Sequence, residues 1–218
     1  SGLIMHLFAK YNRSCVEKVR VFLELQSNNT RFIFNSKMFK KFTKEENVSS
    51  QSQVKSSVAR GIRNSVLEQM PELEKVIDDI FPKKDNVILV KCANYMTLVV
   101  VNREILFFNE RDGPYYPTLR VLHKYPFILP QVQVDRGAIK FVMQGANIMC
   151  PGLTSAGGRI SEDLKTDTIV AIMAEGKQSP LAIGILKMSG KEIKEVNKGI
   201  GIDNIHYLGD GLYKLELD

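Results

Sequence analysis

The stretch GAIKFVMQGANIMCPGLTSAGG, residues 137–158, holds five glycines and a Cys-Pro-Gly corner but no His, Asp or Glu. Its own chemistry is therefore that of backbone amides, and the cations sit close by. Arg136 precedes it, Lys140 lies inside it and Arg159 follows it. One reading makes the three a phosphate clamp; the plain alternative is ordinary solvated charge. Phosphate contacts position an RNA without reading its sequence, and they make binding salt-dependent. Gly145 falls where a short helix over DRGAIKFVM needs a left-handed residue at its end. A glycine there leaves N–H groups free and lets another backbone come close, since no Cβ stands in the way. The Pro151-Gly152 corner turns the strand that follows. Both glycines also read as simple turn punctuation.

Other reactive side chains form no comparable group. His123 and His206 are far apart, with no Cys or second His at ligand spacing. Met149 and Cys150 read as a redox or metal pair, or as core packing in a strand. Asp78-Asp79 ends an apolar helical stripe and reads as a solvated face. No GxxxxGK[ST], HExxH or GxSxG occurs. The expectation is no catalytic residue, no metal and no cofactor. Cys15, Cys92 and Cys150 form no CxxC pair, which suggests a reducing compartment and a cytoplasmic protein. No apolar run approaches 18 residues, so no membrane partner is expected. Tyr115 and Tyr116, beside Gly113-Pro114, suggest a shaped surface loop. Aromatics so placed serve a protein partner or stack on bases; Phe107 and Phe127 read as core.

The elements that must position these residues follow from periodicity. KVRVFLEL and RFIFNS, separated by QSNNT, predict either a hairpin or an adventitious extension in residues 1–37. Val54, Val58, Ile62 and Val66 recur every four residues and predict a helix capped by Ser49 or Ser50 and ended by Pro71. A second helix carries Leu73, Val76, Ile77 and Ile80. NVILV, TLVVV and EILFF predict three strands, the last two joined by a turn at VNREI. A short helix spans PTLRVLHKY, and Pro126 and Pro130 bracket a linker. Residues 38–129 thus read as an α+β docking domain. Beyond the glycine stretch, with Ile139, Phe141 and Val142 as its apolar anchors, come two strands, DTIVAIMAEG and PLAIGILKMS. A helix at KEIKEVNKG and a final hairpin turning at Gly209-Asp210-Gly211 complete residues 130–218. Many short strands with glycine turns argue for a small barrel.

VDRGAIKFVMQGANIMCPGLT resembles the signature of the PUA domain, a small RNA-binding barrel. MFKKFTKEENVSS, PKKD, the block from Leu106 to Ser155, DTIVAIMAEGKQ and VNKGIGIDNIHYL together resemble the malignant T-cell-amplified sequence family, from residue 38 to about 215. The resemblance implies an α+β fold: an N-terminal α+β domain followed by a PUA-type β-barrel. It implies a non-catalytic translation factor that binds tRNA on the small ribosomal subunit. It further implies a density-regulated-protein-like partner, acting with it in reinitiation and in tRNA release after termination. Carried onto this chain, the RNA-binding set is Arg136, Lys140, Gly145, Ala146, Asn147, Pro151, Gly152 and Arg159, and partner contact is expected at Tyr115 and Tyr116. The alternative is an RNA-modification enzyme or its targeting subunit, because PUA domains ride on such enzymes. Against it, residues 38–129 offer no nucleophile–base constellation. Charge adds one constraint to the RNA reading. The whole chain carries +6, but residues 130–218 hold ten Lys/Arg against eleven Asp/Glu. An RNA site there must be a local patch.

Overall fold

The computed structural model describes residues 39–111 and 113–217; the expected hairpin or extension in residues 1–37 lies outside them. Helix α1 (Lys44–Asn47) leads into strand β1 (Val48–Gln53) and then α2 (Ser56–Gln69). A 3-10 turn over Pro71–Lys75 and helix α3 (Ile77–Ile80) return the chain to a meander. That meander is β2 (Val87–Cys92), β3 (Met96–Val101) and β4 (Glu104–Glu110). Asn102 and Arg103, with φ of 50° and 66°, make the two-residue turn between β3 and β4. Strand β5 (Tyr116–Pro117) completes a first sheet of order β1-β2-β3-β4-β5, antiparallel throughout.

Helix α4 (Leu119–Lys124) and a 3-10 turn at Pro126–Ile128 lead to β6 (Gln131–Val134), α5 (Ile139–Val142) and β7 (Ile148–Met149). Helix α6 (Pro151–Thr154), strands β8 (Ile169–Ala174) and β9 (Pro180–Leu186), and helix α7 (Gly190–Val196) follow. Ser189 and Glu192 close a capping box on α7, which draws the Glu192 carboxyl below its ordinary pKa. Strand β10 (Ile200–Tyr207) and helix α8 (Gly211–Lys214) finish the described chain. The second sheet has the order β6-β8-β9-β10-β7, with β6 and β8 parallel and the other pairs antiparallel.

Four readings of the sequence are corrected. Ser49 and Ser50 do not cap α2. They lie in β1, whose ladder on β2 absorbs their backbone groups, and the helix begins after Lys55 with no side-chain cap. Of the four-residue stripe only Ile62 and Val66 are buried, Val58 being exposed. Ile128 and Leu129, expected in a linker, are 3% and 5% exposed and belong to the core. The final hairpin is absent. The Asp210 side chain accepts from Tyr213 N at 2.8 Å and starts α8 instead, since a carboxylate at an N-cap outcompetes a glycine turn.

The core crosses from one sheet to the other. One cluster joins Ile62, Leu73, Phe107 and Leu122 to Ala171 and Ile183 of the second sheet. Another joins Phe39, Phe108 and Tyr116 to Ile205, Leu212 and Leu215. A third lies within the second sheet and includes Val142, Ile148, Leu153, Ile202 and Tyr207. Strand β10 serves two of these clusters through a bulge. Asn204 opposes Gly184 and His206 opposes Ile183, so Ile205 is the extra residue. Ile205 and His206 therefore both face Phe39 and Phe108, while Tyr207 returns to the second sheet's own core.

Because the clusters are shared, the two sheets should unfold together. Phe108→Ala should lower stability by roughly 3–5 kcal/mol, the range for a buried aromatic. Circular dichroism in denaturant should still give one transition. Two separated transitions, or a loss below about 1 kcal/mol, would contradict the shared core.

Candidate nucleic-acid interface

The glycine turn is built from the helix that precedes it. Gly145 N donates to Val142 O at 2.9 Å and Ala146 N to Phe141 O at 3.0 Å. These two bonds are the paired closure of a helix ended by a left-handed glycine. Gly145 has φ +82°, and a Cβ placed on it would lie 2.8 Å from the Tyr207 ring. The close approach that needs a glycine here is thus internal: the residue is required by Tyr207 and by its φ, and the sequence reading that left its missing side chain to an RNA backbone is revised. Asn204 holds the same turn from beneath, its Nδ2 donating to Val142 O at 3.0 Å and Ala146 O at 3.1 Å.

The start of α5 is tied as firmly. Asp135 Oδ1 accepts from Ala138 N at 2.8 Å, and its Oδ2 accepts from the Ser155 hydroxyl. Asp135 N donates to Gly152 O at 3.0 Å, which brings the Pro151-Gly152 corner against α5. Glu175 accepts from Arg136 N at 2.9 Å. Arg159 exchanges both backbone bonds with Gln133, at 2.8 and 2.9 Å, so it stands beside β6 just before Arg136.

The structure therefore brings Arg136, Lys140 and Arg159 to one region, all exposed. Among the described residues no carboxylate forms an ion pair with any of the three. Lys140 Nζ lies 4.9 Å from the Phe141 ring centroid. Ala146 and Pro151 are exposed and Gly152 is half-buried against Ala138. Asn147 does not offer a free side chain. Its Oδ1 accepts from Asn204 N and its Nδ2 donates to Asp203 Oδ1, both at 3.0 Å, so its amide positions the turn.

Several residues sit elsewhere than expected. Tyr116 is 2% exposed and stacks on Phe108 at 5.3 Å, so it is core and does not face a partner. Its place in β5 directly opposite Phe108 of β4 explains this, and burial pushes its phenol pKa up. Tyr115 is half-buried, its N–H held by Gln69 Oε1 at 2.7 Å. Phe127, expected in the core, is exposed on the 3-10 turn, where Lys75 lies over its ring. Phe141 is also exposed, leaving Val142 as the buried residue of α5. Met149 and Cys150 diverge: Met149 is exposed, paired with exposed Ile200, while Cys150 is fully buried. Burial raises the thiol pKa of Cys150, and pushes that of Cys92 to about 11. Asn204, Asp135, Ser155 and Glu175 were not singled out by sequence reading. For Asn204, Asp135 and Glu175 the only signal was a polar residue inside or at the end of an apolar strand, and Ser155, just after α6, gave none.

Comparison with known proteins agrees with this geometry. A pre-PUA-like domain matches residues 42–126 and a PUA domain matches residues 130–208. Malignant T-cell-amplified sequence 1 homolog of Dictyostelium discoideum is 59% identical over 81% of this chain and 97% of its own length. The chain belongs to the malignant T-cell-amplified sequence family. Malignant T-cell-amplified sequence 2 of Homo sapiens is 55% identical over 82% of the chain and 98% of its own length. Translation machinery-associated protein 20 of Schizosaccharomyces pombe is 49% identical over 83% of the chain and the whole of its own length. Outside these eukaryotic relatives, a hypothetical protein of Pyrococcus horikoshii superposes with a TM-score of 0.62 at 26% identity, covering 76% of this chain and 98% of its own.

The turn's dependence on Tyr207 and on positive φ makes a direct prediction. Gly145→Ala should destabilise the chain by more than about 1 kcal/mol, combining left-handed strain with a ring that must shift. Denaturant titration measures it; an unchanged midpoint would show that neither constraint operates.

Proposed function

We propose that this chain is a non-catalytic RNA-binding factor of the translation machinery, gripping RNA at the glycine turn of its PUA domain. The observation that carries the reading is the group Arg136, Lys140 and Arg159, exposed and, among the described residues, free of ion pairs, around a backbone fixed at both ends. Fixed geometry matters because a backbone already held in place leaves only the side-chain rotamers to be ordered when a cation meets a phosphate. The half that contains it has no excess of positive charge, so these side chains supply the local field themselves.

In this reading the RNA is a tRNA on the small ribosomal subunit. A density-regulated-protein-like partner engages the first sheet and its helices, and the two act in reinitiation and in tRNA release after termination. The translation link draws on the name of the fission-yeast relative, and the RNA link on the PUA match. The non-catalytic reading draws on the site's composition: its exposed charged side chains are cations, while its carboxylates accept from protein donors, Glu175 from Arg136 N and Asp135 from Ala138 N and the Ser155 hydroxyl. Phosphate contact without base reading also predicts tolerance of different tRNA sequences.

Among the described residues neither side chain forms an ion pair, and Lys140 touches only the exposed ring of Phe141, so Arg136→Ala and Lys140→Ala should both fold normally. Each should weaken tRNA binding and flatten the slope of log K against log salt by roughly 1, similarly for different tRNAs. Fluorescence anisotropy at several salt concentrations reads this. Parental affinity in both variants at every salt would place the grip elsewhere.

A further inference from the structure

Another exposed cation, Arg111, lies at a different kind of feature, a strained turn in the first sheet. Strands β2 and β3 are joined by Ala93-Asn94-Tyr95, and both Asn94 (φ 58°) and Tyr95 (φ 59°) are left-handed. Asparagine tolerates that region, but a bulky side chain rarely enters it, and glycine would fill the same position without strain. Burial does not offset the strain, because Tyr95 is 68% exposed. Arg111, itself left-handed at φ 54°, meets it from the end of β4. Arg111 N donates to Tyr95 O at 2.8 Å, and Arg111 O accepts from Nδ2 of the buried Asn109 at 3.1 Å. The guanidinium carbon then lies 4.2 Å from the Tyr95 ring centroid. Among the described residues, Arg111 has no carboxylate partner, and the Tyr95 hydroxyl makes no hydrogen bond.

We propose that Tyr95 and Arg111 form a stacking platform for an unpaired base of the RNA that this chain binds. The proposal rests on the RNA-binding reading above and adds a second contact, away from the glycine turn. The pair is held by backbone bonds and presents a π face to solvent. An unpaired base needs only such a face, and a planar guanidinium beside it adds cation–π attraction and a charge for the adjoining phosphate. An aromatic anchor for a protein partner sits instead at the centre of a desolvated apolar patch. Beside Tyr95 stand the exposed Asn94 and the guanidinium of Arg111, which suit a nucleotide.

The test uses the full chain and two probes of about 12 nucleotides: single-stranded oligoadenylate carrying one 2-aminopurine, and a blunt RNA duplex. Tyr95→Gly removes the ring and relieves the left-handed strain, so folding is retained, and a thermal melt checks it. It should weaken single-strand binding about tenfold and abolish the 2-aminopurine quench, with the duplex affinity and the salt slope unchanged. Tyr95→Phe should bind like the parent. An Arg136→Ala/Lys140→Ala double variant is the reference. If it weakens while Tyr95→Gly binds the single strand like the parent, the platform is wrong and the glycine-turn reading stands. If the parent binds neither probe nor tRNA, the RNA-binding reading itself fails. Unchanged RNA affinity together with loss of a protein from translation extracts would make Tyr95 a protein anchor and overturn the proposal.

Discussion

A buried carboxylate holds this molecule together. Asp210 is 2% exposed and accepts three donors: His206 Nδ1 at 2.7 Å, Tyr207 N at 3.0 Å and Tyr213 N at 2.8 Å. A buried charge left without donors is costly enough that all three bonds are structural requirements. They fix the end of β10, the start of α8 and the imidazole of His206 at once. That ring packs edge-on against Phe39 and Phe108, each at 5.8 Å, which are residues of the first sheet's core. His123 makes a parallel tie, its Nε2 lying 2.9 Å from Pro180 O while its ring meets Tyr213. Both histidines join elements that are distant in sequence.

The same strand reaches the candidate RNA face. Two residues before His206, Asn204 holds the carbonyls of Val142 and Ala146 and is itself held by Asn147. One residue after His206, Tyr207 lies against Gly145. The bulge at Ile205 makes this double service possible, since without it Asn204 and His206 would face the same way. The glycine turn is therefore placed by a strand anchored at the boundary between the sheets. A rigid turn of this kind fixes the backbone of Arg136 just before α5 and of Lys140 within it, which is what phosphate positioning requires.

Most of the elements were legible in the sequence because their patterns are local. The branched runs at 87–101, the turn at VNREI and the helix at KEIKEVNKG each announce themselves within a few residues. Gly145 was legible as a helix end for the same reason. What was not legible came from contacts distant in sequence. Tyr116 reads as a loop aromatic until β5 lays it on Phe108, and Ile128-Leu129 read as a linker until the second sheet covers them. Asp210 sits between two glycines and reads as a turn, although its bonds to His206 and Tyr213 make it a cap. Asn204 was invisible because its partners are some sixty residues away. The cations of the site were found by type and spacing, whereas their freedom from ion pairs is a property of the folded surface alone.

The central claim is that RNA sits on the turn that β10 positions. Hydrogen–deuterium exchange of the full chain, free and saturated with tRNA, tests it most directly. Exchange should slow across residues 136–147 and around Arg159 when tRNA is bound. The amides of Tyr207 and Tyr213, already bound to Asp210, should be unaffected. Unchanged exchange throughout residues 136–159, with protection appearing elsewhere on the chain, would contradict it.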